Sequence, residues 1–314
     1  MKPTNSNNGL RKALGAVAFS TFAILSIGLP APVAMAETAT VNNSSQEDGG
    51  NQRINHAGKL RMLSQRLPAA ACVLAYSGSS ETAAEALAAA SNKFDRILTG
   101  LRNGDPELGI VGAEKKRRTL VRLEEVKGQW EPFQAAINDI LAGKNVEASM
   151  GYLSEHNMAL LDAAKALVTE ESAEYSNPAE LTQANALLIN FAGRQRMLTQ
   201  KIAKESCGVE TGNPSLGTLD NMKETVSLFE TTLNALRDGM PAAGVKAPPT
   251  EEIRDHLIKA TDRWNETKMF LAGITGKGSI GSEAQAQIFH RLSKEVKAMN
   301  VITGLYAAHS KMTQ

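Results

Sequence analysis

The stretch INHAGKLRMLSQR at 54–66 returns as INFAGRQRMLTQK at 189–201, an offset of 135 residues. At that same offset Cys72 stands opposite Cys207, Phe94 opposite Phe229, and LRNGDP at 101–106 opposite LRDGMP at 236–241. After a one-residue deletion Trp130 matches Trp264 and His156 matches His290. The chain is a tandem duplication of one unit, so a fold that suits one half must suit the other.

Composition narrows that fold. Ala, Leu, Glu, Lys and Gln abound, aromatics make up only 4%, and alternating β-branched runs are missing, which reads as all-α. In the first copy the periodicity predicts helices near 49–77, 80–103, 113–142 and 146–175; in the second, near 179–208, 215–238, 250–274 and 281–312. NGDPELGIVG and DGMPAAGVKAPPT carry the Gly, Pro and Asp that end helices, and Thr250 is placed to cap the run beginning EEIRDHL. Short connections make neighbours antiparallel, so the expected architecture is two tandem up-and-down four-helix bundles, 51–178 and 179–314. Trp130, Trp264, Phe94 and Phe229 are expected to fill their cores.

Lys2, Arg11 and Lys12 precede an apolar run from about Ala13 to Leu29, followed by Ala34-Met35-Ala36. This predicts a signal peptide over 1–36, cleaved after Ala36, with export to the periplasm or beyond the cell. The polar stretch 37–50, ending in Gly-Gly, reads as a flexible leader. Of the 34 Lys and Arg, three fall before residue 37, leaving 31 against 33 Asp and Glu. That balance argues against a nucleic-acid binder. No later segment approaches the roughly 20 apolar residues of a bilayer-spanning helix, so the cleaved chain is expected not to span a membrane.

The repeated segment holds more than packing requires. Gly58 and Gly193 sit in predicted helix interiors, where each costs about 0.5–1 kcal/mol relative to Ala, so something must approach the backbone closely. Arg61 and Arg196 follow one turn later on the same face. The segment Asn51 to Ser77 carries Arg53, Lys59, Arg61 and Arg66 and no acidic residue; its counterpart carries Arg194, Arg196, Lys201 and Lys204 against Glu180 and Glu205. A small residue beside a guanidinium admits a planar oxyanion, which the guanidinium's fork matches. The other reading of the same residues is a glycine at a close helix crossing and arginines solvated at the surface.

The pattern I-N-x-A-G-x-x-R-M-x-S/T-Q-x resembles the P-box of the periplasmic sensor domain in nitrate/nitrite sensor histidine kinases of the NarX type, found also in the PilJ-type N-terminal domain of type IV pilus chemotaxis transducers. The rest of each unit matches only in size and helical character. The resemblance implies a four-helix domain whose paired first helices hold nitrate through a glycine and an arginine from each. Carried over, the ligand-binding positions are Gly58 and Arg61 in one copy and Gly193 and Arg196 in the other, with Arg66 as a second basic position. The second copy has Lys201 there, which weakens a bidentate role. Unlike those kinases, this sequence shows no transmembrane helix after the sensor and no kinase or methyl-accepting region.

Because the resembling site lies between two identical domains, a tandem repeat is able to supply both halves, and the first helices of the two copies are expected to face each other across one anion. Eleven residues separate Arg61 from Cys72 and Arg196 from Cys207. At about 100° per residue that returns to within roughly 20° of the starting face. The thiols therefore either form a disulfide in an exported chain or are two small buried hydrophobes. Pro68 is a potential kink in the first copy only.

His56 is replaced by Phe191 in the repeat, which argues against a shared ligand, and His156 and His290 lack partners at metal-ligand spacing and read as structural. No hydrolase, zinc or phosphate-loop motif appears; the expectation is a non-enzymatic protein with no cofactor and no metal. The leading functional expectation is a binding or sensing module for nitrate, nitrite or a similar oxyanion, acting through a membrane receptor, kinase or transporter. The alternative is a ligand-free helical scaffold of a chemotaxis, pilus or transport system.

Overall fold

A computed structural model describes residues 43–77, 81–175, 183–277 and 279–312. The expected signal peptide, the first six residues of the expected leader and the junction between the copies lie outside the described residues.

Eight helices account for nearly all of what is described: α1 (Asn43–Ser77), α2 (Glu81–Asn103), α3 (Arg117–Leu141), α4 (Val146–Tyr175), α5 (Gln183–Thr211), α6 (Leu219–Asp238), α7 (Glu251–Lys277) and α8 (Ser282–Met312). The fold is all-α, as the composition predicts. Within the first half α1 packs on α2 and α4, and α3 on both α2 and α4; within the second, α5 packs on α6 and α8, and α7 on both α6 and α8. The halves meet where α1 lies against α5 and α8.

The duplicated punctuation folds the same way twice. Pro106–Leu108 and Pro241–Ala243 each form a 3-10 turn, closed by the bridges Asp105 to Ile110 and Met240 to Val245. Gly109 and Gly244 end these turns at φ 70° and 71°, a left-handed conformation that only glycine adopts without strain. Thr218 and Asn221 cap α6 reciprocally, and Thr250 accepts the Ile253 amide at the start of α7. The expected aromatic cores are present: Phe94 stacks on Trp130 at 4.2 Å and Phe229 meets Trp264 at 4.4 Å between centroids. Each indole N–H finds a carboxylate, Asp95 in one half and Glu230 in the other.

Three helix starts differ from the periodicity, one of them α6, which begins at Leu219 rather than near 215. Helix α1 begins at Asn43, inside the stretch read as leader. Gly49 and Gly50 are buried, and a Cβ on Gly50 would lie 3.2 Å from that of Tyr175, so Gly50 allows a close contact with α4. Helix α3 begins at Arg117, not near 113, because Glu114 turns back to accept the amides of Lys115 and Lys116. Helix α1 runs through Pro68 without interruption.

Candidate oxyanion site between α1 and α5

The seam between the halves is built from the repeated motif. A Cβ placed on Gly58 would lie 3.6 Å from an Nη of Arg61 and 3.6 Å from an Nη of Arg196. The two guanidiniums therefore converge on one bare patch of α1 backbone. A Cβ on Gly193 would come within 3.3 Å of Arg196, so the second glycine makes room for its own arginine. Of the expected ligand positions, the structure brings together Gly58, Arg61, Gly193 and Arg196.

The two cations are held differently. Arg196 is 4% exposed; it donates through Nε to the Gly193 carbonyl at 3.3 Å, and through Nη1 to Oδ1 of Asn55 at 3.3 Å and of Asn300 at 3.0 Å. All three acceptors are neutral. Arg61 is half-buried, and its Nε is shielded from solvent with no hydrogen-bond partner. No carboxylate pairs with either among the described residues. Burial, then the Arg61 charge, pulls Arg196 down to about 10. Burial, then Arg194, pulls Arg61 down as well. Two desolvated like charges facing each other without a counterion form an arrangement that an anion would relieve.

Neighbouring cations add to the field without joining the site. Lys59 is pulled down to about 8 by burial, then by Lys93 and Arg196. His56 is buried 3.5 Å from the Lys59 ammonium, and burial followed by that charge lowers it to about 4, leaving it neutral. Asn55 and Asn300 join the site beyond the residues that the motif marks for the ligand. Asn55 belongs to the repeated motif, but Asn300 on α8 corresponds to Ala166 in the first half and carries no repeat signal.

Two expected ligand positions point elsewhere. Arg66 crosses the seam to donate to Gln200 at 3.0 Å and Ser293 at 2.9 Å, and stacks on Phe289. Lys201 turns into its own half, 3.0 Å from the Glu205 carboxylate and 2.9 Å from Thr225. The reason is local: Glu205 stands one turn on from Lys201, whereas Arg66 faces Ala70. Further along the seam, Cys72 and Cys207 form a disulfide with Cα atoms 6.3 Å apart.

Such a seam of two paired repeat helices defines an all-helical domain built from two like halves. The model of the type IV pili methyl-accepting chemotaxis transducer N-terminal family, PilJ, matches the chain twice, at residues 43–155 and 182–288. The chain belongs to that family, with one match in each half. It is also 26% identical over 296 residues to Protein PilJ of Pseudomonas aeruginosa, covering 92% of this chain and 40% of the relative. The chain thus spans about two fifths of that relative's length. No helix among the described residues is long and apolar enough to cross a membrane.

Proposed function

We propose that this chain is an exported sensing module that captures one planar oxyanion of the nitrate or nitrite class between its two halves and reports to a membrane-bound signalling partner. The observation that carries this reading is the meeting of Arg61 and Arg196 over Gly58 with no carboxylate paired to either among the described residues. Asn55 and Asn300 fix one guanidinium in advance, while the unpartnered Nε of Arg61 is left for the guest. Supplying both arginines from one polypeptide removes the need for two chains to meet before the anion binds. Membership of a chemotaxis-transducer family supports the signalling role.

The test is a thermal-shift panel of nitrate, nitrite, sulfate, chlorate and small carboxylates. A ligand at a hundredfold excess over its dissociation constant adds about 2.7 kcal/mol to the folded state, a shift of several degrees. Nitrate or nitrite should raise the melting temperature of the wild type, and Arg61→Ala and Arg196→Ala should each abolish the shift. A flat panel would return the chain to the scaffold reading.

A further inference from the structure

The duplication supplies a control for nearly every position. A cleft of about 610 Å³ opens where Val73, Thr82 and Ala83 of the first half face α7 and α8 of the second. In the repeat, Val73 and Thr82 correspond to Gly208 and Gly217. There the backbones touch: a Cβ on Gly208 would fall 2.7 Å from the Gly217 nitrogen, and one on Gly217 would fall 2.6 Å from Glu205. That junction is stitched to α4 by Asn157, which donates to the Ser215 carbonyl at 3.2 Å, and by Asn213, which donates to Ser154 at 3.0 Å. The side chains of Val73 and Thr82 forbid the same approach. One seam is sealed and its sister stands open.

The walls differ in kind as well. Leu161 and Phe133, fully buried in the first half, are replaced at the equivalent positions by Glu295 and Thr267, both lining the cleft. Glu295 is only 1% exposed; Oε1 accepts Arg263 Nε at 3.0 Å, and Oε2 is buried with no partner. A carboxylate at the place of a core leucine costs stability unless it is fully satisfied. Arg291, stacked 4.0 Å from the Phe270 ring and 3.3 Å from the Glu266 carboxylate, and Lys294, exposed and without a carboxylate partner among the described residues, line the same cleft. A half-satisfied acid, Glu295, and an unpaired base, Lys294, thus share one recess of ordinary ligand-site volume.

We propose that this cleft is a second ligand site, for a small organic molecule carrying both an amine and a carboxylate, the amino-acid class. Glu295 receives the amine, and Lys294 receives the carboxylate, with Arg291 beside it already paired to Glu266. Burial lifts the Glu295 carboxyl to about 7, against the pull of Arg263, which marks it as a group short of hydrogen-bond donors. The site is separate from the seam at Gly58 and uses none of its residues.

Calorimetric titration of the folded chain with each protein amino acid at millimolar concentration is the test, with acetate and methylamine as single-charge controls. At least one amino acid should bind while both controls fail. Glu295→Leu installs the sister half's own residue; it should keep wild-type helicity by circular dichroism and weaken amino-acid binding by about tenfold or more. Glu295→Gln, which keeps the shape and removes the charge, should weaken binding likewise and serves if the leucine variant misfolds. No binding across the panel, or unchanged affinity in the variants, overturns the proposal.

Discussion

Arg61 and Arg196 are equivalent in the repeat and unequal in the fold. Asn55 and Asn300 anchor Arg196, whereas Arg61 keeps a buried Nε without an acceptor. Asn300→Ala is therefore expected to loosen Arg196 and weaken nitrate binding in a titration, while leaving the melting temperature of the anion-free chain within a degree or two. Gly58 offers a sharper separation of roles. An added Cβ would meet both guanidiniums at 3.6 Å, ordinary van der Waals contact, so Gly58→Ala should gain about 0.5–1 kcal/mol of helix stability. The same methyl occupies the patch where the anion would lie, so binding should fall although the fold is firmer. A variant that is more stable and binds nitrate normally would place the anion elsewhere. The glycine and arginine positions were legible because the repeat spells them twice. Asn300 was not, since Ala166 stands at its counterpart and a lone asparagine on a polar helix face carries no pattern. The diversion of Lys201 depended on Glu205, an acid present in one copy only.

At the level of elements, the helices themselves were readable from periodicity and from glycine and proline punctuation. The start of α1 was not, because its first turns are polar and show no apolar period. Arg53 secures this end: it donates to the carbonyls of Leu101 and Gly112 at 2.7 Å and to Glu114 at 3.2 Å, while Tyr175 donates to Glu114 from α4. Beside this cluster Glu171 is fully buried with neither oxygen partnered, and burial, then the Glu114 charge, lifts it to about 8. A carboxyl whose folded pKa is raised binds its proton more tightly in the native state. Its stabilising contribution is present below the unfolded value of 4.5 and is lost as pH rises toward about 8. Thermal melts across that window should show a falling midpoint in the wild type, with Glu171→Gln flattening the slope. An unchanged slope in the variant would show that Glu171 ionises normally.

At the scale of the whole molecule, the fold class and the duplication followed from sequence, while the relation of the halves required coordinates. Eleven-residue spacing placed each cysteine on its arginine's face but left open whether the two faces met. The Cys72–Cys207 disulfide closes a loop of 135 residues across the seam. Chain entropy assigns such a bond up to about 5 kcal/mol. Guanidinium unfolding of Cys72→Ala/Cys207→Ala should show a loss of that order, measured against the oxidised wild type; an unchanged midpoint would mean that helix packing alone holds the halves together. The cleft at Glu295 was invisible to motif reading for a different reason: it rests on what the two copies do not share. The most direct measurement of the central claim is the stoichiometry of nitrate binding by calorimetry at several protein concentrations. One anion per chain, with an affinity independent of protein concentration, is expected if Arg61 and Arg196 of the same polypeptide enclose it. Two anions per chain, or an affinity that strengthens as chains associate, would contradict a site shared between the two halves.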